Sequence, residues 1–211
     1  MGLRTRYDRL LARHLRRPEG PLGRLVAGRL DRRNRALIDS AIEALELEPG
    51  SVVADIGFGG GIGLELLLGR VTVEQAIGVD ISPAMVESAR RRFAGEVRQG
   101  RLRLESGSLT EMPLPDSALD GAITVNTVYF VDDLGAALGE VARVLRPRGR
   151  LVIGIGDPDA MGRMRFTAHG FRLRSITELE GAITGSGLML LDHRRVGEAS
   201  VPGHLLTVGP P

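Results

Sequence analysis

The chain has 211 residues, of which 43% are hydrophobic and 26% charged, as expected of one globular domain. It has no cysteine, which excludes disulfides, thiolate catalysis and cysteine-ligated metals. No apolar run approaches the ~20 residues that a membrane-spanning helix needs. The N-terminus also lacks the apolar core of a secretory signal. We therefore expect a cytoplasmic protein without a transmembrane segment.

Positive charge is concentrated near the N-terminus. All 28 basic residues are arginine, which we interpret as codon bias from a GC-rich, bacterial genome. Residues 1–35 carry eleven arginines against three acids, whereas the remaining residues carry 17 arginines against 23 acids. Because the basic charge is not spread over the fold, it disfavours nucleic acid as a partner. The arginines fit solvated helix faces, with attraction of an anionic substrate, a dimer contact or a membrane surface as alternatives.

Helical patterns occupy the first part of the chain. In the segment 3–15, apolar residues recur at the spacing of one helical face. Two further helical patterns follow before Pro49 and Gly50, which end the last of them. We expect residues 1–45 to form a helical lid and residues 46–211 to form the main domain.

Beyond Gly50, short apolar runs alternate with amphipathic helical patterns. The predicted strands are 52–56, 76–79, 102–104, 122–125, 151–155, 189–196 and 204–208. The predicted helices between them are 62–68, 82–93, 134–145 and 176–184. Such alternation is typical of a parallel sheet covered by helices on both faces. Because ligands of these folds bind at the carboxyl ends of the strands, we expect the functional residues directly after the strands.

The turn after the first predicted strand is rich in glycine. Gly57, Gly59 and Gly61 lie between a strand and a helix, where backbone amides and the positive end of the helix dipole can approach a ligand. Asp55 precedes them, and its carboxylate would repel a pyrophosphate but can accept a hydrogen bond from an ammonium group. Ile62 stands where the dinucleotide-binding pattern requires its last glycine. A tight turn with a helix-facing acid, without ligand, is the alternative.

A second candidate ends the second predicted strand. Asp80 lies 23 residues after Gly57, about the chain distance at which an acid binds the hydroxyls of a ribose. Ile81 would then lie against one face of an adenine. Taken alone, Asp80 is equally consistent with a cap of the helix that begins at Ser82. Beside the glycine turn, the ribose role is favoured.

These motifs resemble those of a known family. The pattern D-x-G-x-G-x-G at residues 55–61 and the sequence GVDIS at residues 78–82 resemble motif I and the next acidic strand end of class I methyltransferases. The similarity is to the small-molecule family that includes the ubiquinone/menaquinone C-methyltransferases, and it covers residues 35–156 best. Residues 112–120 and 141–151 also match.

The resemblance implies both fold and cofactor. The implied fold is a Rossmann-like α/β three-layer sandwich with a seven-stranded, mostly parallel sheet of order 3-2-1-4-5-7-6, beneath the N-terminal helical lid. The implied cofactor is S-adenosylmethionine, released as S-adenosylhomocysteine, and no metal is needed.

The resemblance also suggests how the adenine is held. The family often has an aspartate after the glycine that ends strand three, but here Ser108 follows Gly107. We expect the Ser108 hydroxyl or the Leu109 amide to bind the base instead. Phe58 and Asn126 complete the predicted cofactor-binding residues.

Candidate catalytic residues are few, because methyl transfer from a sulfonium is an in-line displacement promoted by orientation and desolvation. His169, after strand five, is a candidate base for an acceptor hydroxyl. Tyr7 belongs to a Tyr-Asp pair that resembles one in the family's lid, with simple packing in the helix as the alternative. His193 and His204 lie on late strands, away from the expected site, where we expect structural or surface roles.

We therefore expect a methyltransferase that acts on oxygen, nitrogen or carbon of a small molecule, as a monomer or homodimer. One alternative is a non-catalytic protein that binds S-adenosylmethionine or S-adenosylhomocysteine. Another is an NAD(P)-dependent oxidoreductase, which Asp55 and the imperfect dinucleotide pattern oppose. No Asn-Pro-Pro-Tyr motif is present, which disfavours methylation of nucleic-acid bases.

Overall fold

The computed structural model describes residues 34–70, 72–197 and 202–211. Most of the expected lid, including Tyr7, lies outside these ranges. The strands are β1 (Ser51–Ile56), β2 (Val73–Asp80), β3 (Leu102–Ser106), β4 (Leu119–Val125), β5 (Leu145–Gly156), β6 (Met189–Val196) and β7 (Gly203–Gly209). The helices are α1 (34–43, within the described part), α2 (Ile62–Leu68), α3 (Pro83–Arg92), α4 (Ala94–Arg98), α5 (Leu134–Val144), α6 (Pro158–Gly162) and α7 (Ile176–Gly185). Two 3-10 turns lie at Val128–Phe130 and Arg165–Ala168.

The strands form one seven-stranded sheet of order β3-β2-β1-β4-β5-β7-β6, which confirms the expected topology. Neighbouring strands from β3 to β5 are parallel, whereas β7 is antiparallel to both β5 and β6. The chain winds outwards from β1 to β3 and then returns to β4 on the other side of β1. The switch point between β1 and β4 is where sheets of this type bind their ligands.

Two apolar cores cover the two faces of the sheet. One core lies under α5 and α7 and includes Leu138 and Ile153. The other lies under α1, α2 and α3 and includes Leu64 and Val152. Val152 and Ile153 are consecutive in β5 and belong to opposite cores, because side chains alternate along a strand. Among the described residues, no helix has both the length and the hydropathy that a membrane span requires.

One buried hydroxyl, Thr207 Oγ1 in β7, has no hydrogen-bond partner within the described ranges. Burying a hydroxyl without a partner costs free energy. We therefore expect Thr207→Val to raise the free energy of unfolding by about 1 kcal/mol, measured by urea unfolding. Thr124→Val is the matched control, because the buried Thr124 hydroxyl donates to Ile56 O at 3.0 Å and its loss should destabilise the protein. Destabilisation by both substitutions would contradict the prediction.

Candidate functional site

The glycine-rich turn leads from β1 into α2. Gly57, Gly59 and Gly61 have φ values of 78°, 53° and 86°, in the left-handed region that favours glycine. The Gly57 amide donates to Val79 O at 2.7 Å, and the Gly61 amide donates to Phe58 O at 2.9 Å. These bonds fix the backbone of the turn at the carboxyl edge of β1 and β2. The sequence-predicted turn is thus present, while the Phe58 side chain is buried in the core and only its backbone can face a ligand.

Two glycines in this region are also required by close packing. A Cβ on Gly57 would lie 2.5 Å from Thr127 Oγ1, and one on Gly63 would lie 2.1 Å from Asp55 Oδ2. The buried Asp55 carboxylate therefore lies against the first turn of α2, in space left by the missing side chain of Gly63. This is the helix-facing position considered above, and binding of an ammonium group by Asp55 stays a prediction.

Asp80 joins the end of β2 to the glycine turn. Its Oδ2 accepts a hydrogen bond from the Gly59 amide at 2.9 Å, and its Oδ1 accepts one from the Ser82 amide at 2.8 Å. The side chain is only 6% exposed. Burial raises the pKa of the Asp80 carboxyl above its ordinary value, and the two amide hydrogen bonds oppose that rise. Each carboxylate oxygen has a second lone pair, so both can still accept from a ligand.

The side chains around Asp80 differ in exposure. Ile81 is 55% exposed and so presents an apolar surface beside the buried carboxylate. The Gly107 amide donates to Asp80 O at 3.1 Å and brings the turn after β3 beside β2. In that turn, Ser108 Oγ lies 2.9 Å from Thr110 Oγ1, whereas the Leu109 side chain is buried in the core. Of Leu109, only the backbone is therefore free to meet a ligand.

Tyr129 ties together the ends of β4 and β5. Its buried hydroxyl accepts a hydrogen bond from the Gly156 amide at 2.7 Å and lies 3.3 Å from Asn126 Oδ1. Burial raises the pKa of Tyr129, so the hydroxyl stays protonated above the pH at which an exposed tyrosine ionises. Asn126 has a φ of 58°, a strained conformation that is concentrated at functional sites. The sequence indicated Asn126 as a binding residue, whereas no role was predicted for Tyr129.

His193 and His204 lie together on adjacent strands. His193 Nε2 is 2.9 Å from His204 Nδ1, and His204 Nε2 is 3.2 Å from Asp157 Oδ2. Hydrogen bonds from the Ala160 amide and from His204 lower the pKa of Asp157, which directly follows β5. Through His204 this pair therefore contacts a carboxylate at the carboxyl end of β5, so the expected location away from the site was wrong for His204. The sequence could not reveal this contact, because His204 and Asp157 are 47 positions apart.

The segment after β5 contains His169 and part of an aromatic cluster. His169 is half-buried, and its amide donates to Phe166 O at 3.1 Å. The Phe171 ring packs against Phe130, Phe166 and Tyr129, with centroid distances of 4.7, 5.6 and 5.7 Å. These rings join the loops that follow β4 and β5. The described residues include no cluster of three or more histidine or acidic side chains that could hold a metal ion.

Known proteins resemble this chain in both sequence and fold. Residues 54–153 match the family described as "Methyltransferase domain". An O-methyltransferase of Pyrenophora dematioidea is 29% identical over 171 residues, which cover 74% of this chain and 63% of that protein. A ubiquinone/menaquinone biosynthesis C-methyltransferase of Geobacter sulfurreducens is 32% identical over 133 residues, which cover 63% of this chain and 51% of that protein. The chain thus spans less than two thirds of either relative.

A solved structure supports the same fold. Geranyl diphosphate C-methyltransferase from Streptomyces coelicolor, in complex with S-adenosyl-L-homocysteine, has a TM-score of 0.71 at 18% identity, covering 92% of this chain and 84% of that one. At this identity, the similarity concerns the fold alone. The glycine turn and Asp80 both lie inside the segment that matches the family. Over residues 54–153, just under half of the chain, the protein matches the methyltransferase domain family, and its fold is that of the class I methyltransferases, whose cofactor is S-adenosylmethionine.

Proposed function

We propose that this protein transfers the methyl group of S-adenosylmethionine to an oxygen, nitrogen or carbon atom of a small-molecule acceptor. The observation that carries the proposal is the direct hydrogen bond between the Gly59 amide and the buried Asp80 carboxylate. This hydrogen bond holds the glycine turn next to the carboxylate that we propose binds the ribose. A ligand with an amino-acid end and a ribose suits this pair of features, whereas a pyrophosphate on the turn would meet the Asp55 carboxylate.

Each part of the site fits one part of the cofactor. Gly57, Gly59 and Gly61 give a backbone without side chains, against which the amino-acid end fits. Asp80 accepts hydrogen bonds from the ribose hydroxyls, and Ile81 removes apolar surface from water by packing on the adenine. The remaining proposed cofactor-binding residues are Asp55, Phe58, Ser108, Leu109 and Asn126.

The cofactor supplies a methyl group that is activated by its bond to a sulfonium. The acceptor atom attacks this methyl group in line with the sulfur–carbon bond. The chain's own residues have to orient the acceptor and exclude water. We propose His169 as the base for a hydroxyl acceptor, and Tyr7 as a lid residue near the reacting atoms. Because the names of the two relatives specify oxygen and carbon, the proposal includes both kinds of acceptor.

Isothermal titration calorimetry with S-adenosylhomocysteine and with NADH tests the proposal. We expect S-adenosylhomocysteine to bind and NADH not to bind, and the opposite result would contradict the cofactor assignment. Radiolabelled S-adenosylmethionine with a panel of phenols, amines and quinols then tests catalysis. Cofactor binding without transfer to any member of a broad panel would instead favour a non-catalytic binding protein.

Acidification should weaken cofactor binding through Asp80. Ribose hydroxyls donate to the ionised carboxylate, and because burial raises the pKa of Asp80, this acceptor is lost at a higher pH than an exposed aspartate would lose it. We expect the affinity for S-adenosylhomocysteine to fall as the pH is lowered from neutral, measured by calorimetry. Asp80→Asn should bind more weakly and with a smaller pH dependence. An equal pH dependence in both proteins would contradict the assignment.

The raised pKa of Asp80 gives the stability of the fold a pH dependence opposite to that of cofactor affinity. The folded state holds the proton on Asp80 more tightly than the unfolded chain does. This carboxyl therefore contributes most to the free energy of unfolding below its unfolded pKa, and the contribution is lost as the pH rises through the folded pKa. Cofactor affinity and this part of the stability thus change in opposite directions with pH.

A further inference from the structure

Arg92, the last residue of α3, contacts the glycine turn from the side of the neighbouring helix. Its Nη1 donates to Gly60 O at 3.0 Å. Its Nη2 pairs with Glu65, which lies in α2. A single guanidinium group therefore joins a carbonyl of the turn to the helix that follows the turn.

Phe93 adds a second contact from the same place. Its ring lies under the Arg92 guanidinium, with 4.8 Å between the guanidinium carbon and the ring centroid. The buried ring also lies close to Gly61, where an added Cβ would be 3.2 Å from Phe93 Cε2. Two consecutive residues at the end of α3 thus pack against Gly60 and Gly61, two of the three consecutive glycines of the turn.

A third contact orients the partner of Arg92. Arg35 of α1 donates to Glu65 Oε1 at 3.1 Å, while Arg92 pairs with Glu65 Oε2. The Arg92 and Glu65 side chains are 43% and 39% exposed, so the ion pair adds little to the stability of the fold. Because this network contributes little to the free energy of unfolding, its main effect is on the backbone conformation of the glycine turn.

We infer that Arg92 is a positioning residue for the cofactor, an inference that rests on the function proposed above. The carbonyl of Gly60 and the amide of Gly61 belong to one planar peptide and point in opposite directions. Arg92 holds the carbonyl at one end, and Phe58 O accepts from the amide at the other. The orientation of this peptide sets the shape of the turn against which the amino-acid end of the cofactor lies.

The test is calorimetry with S-adenosylhomocysteine on full-length variants. We expect Arg92→Met to weaken binding about fivefold, which corresponds to a typical net hydrogen bond and to the upper end of the range for exposed ion pairs. Arg92→Lys should restore part of the loss, because the ammonium group keeps a donor for Gly60 O. Arg91→Met is the matched control, since it removes the same charge from the same helix turn and only a 2.7 Å pair with Glu87. We expect its affinity to equal that of the wild type.

The outcomes separate this inference from the proposed function. If the wild type does not bind S-adenosylhomocysteine, both are overturned. If the wild type binds and Arg92→Met binds equally well, only the positioning role is overturned. A loss of affinity that Arg92→Lys does not restore, together with a lower melting temperature of the ligand-free protein, would also overturn it, because it would indicate general destabilisation.

Discussion

Replacing Asp80 with alanine is expected to weaken the binding of S-adenosylhomocysteine by about 1–3 kcal/mol, which is roughly 5- to 150-fold in the dissociation constant. The carboxylate accepts the ribose hydroxyls in our proposal, and charge-assisted hydrogen bonds of this kind are stronger than neutral ones. The same substitution frees the Gly59 and Ser82 amides, which Asp80 now accepts from at 2.9 and 2.8 Å. Asp80→Ala therefore removes two hydrogen bonds that hold the backbone near the turn, in addition to the acceptor for the ribose hydroxyls.

Asp80→Asn separates these two effects. The asparagine keeps the size of the side chain and one carbonyl oxygen, so it retains part of the contact with the turn but has no negative charge. We expect its affinity to lie between those of the wild type and Asp80→Ala. Thermal unfolding of the ligand-free proteins measures the anchoring role independently. An unchanged dissociation constant in Asp80→Ala would contradict the ribose assignment.

Periodicity alone indicated most of the fold. Short apolar runs alternating with amphipathic helices predicted a parallel sheet covered on both faces, and the family resemblance supplied its strand order. The boundaries were less accurate. β5 begins at Leu145 rather than at residue 151, because Leu145 pairs with Leu119 ahead of a register shift, and Gly149 lies where an added Cβ would be 2.9 Å from Leu119 O. Such cross-strand contacts are not visible in a local hydropathy pattern.

The candidate site was predictable where its residues follow one another in the chain. The glycines of the turn, Asp55 and Asp80 belong to short motifs whose spacing reflects backbone geometry. The contacts made by Arg92, Thr127 and Tyr129 were not predictable, because each depends on a partner brought near by the tertiary fold. Arg92 lies 32 residues from Gly60, and Thr127 lies 71 residues from Ile56, whose carbonyl is 3.5 Å from the Thr127 hydroxyl.

The role of Gly63 also depends on a partner that the fold brings near, because the Asp55 carboxylate packs against this position. In a helix, replacing glycine with alanine ordinarily stabilises a protein by about 0.5–1 kcal/mol. Gly139 in α5 and Gly181 in α7 should follow this rule, since a Cβ at either position would meet nothing within 4 Å. At Gly63, however, the Cβ would lie 2.1 Å from Asp55 Oδ2 and 3.3 Å from Ile123 Cδ1.

We therefore expect Gly63→Ala to lower the free energy of unfolding by about 1–3 kcal/mol, the usual cost of overpacking a core, while Gly139→Ala and Gly181→Ala raise it. Urea unfolding of the three variants compares one chemical change at three helical positions. Because the clash is with the Asp55 carboxylate, the effects of Asp55→Ala and Gly63→Ala should be less than additive in the double variant. Stabilisation by Gly63→Ala, or full additivity with Asp55→Ala, would show that the carboxylate does not lie against the first turn of α2.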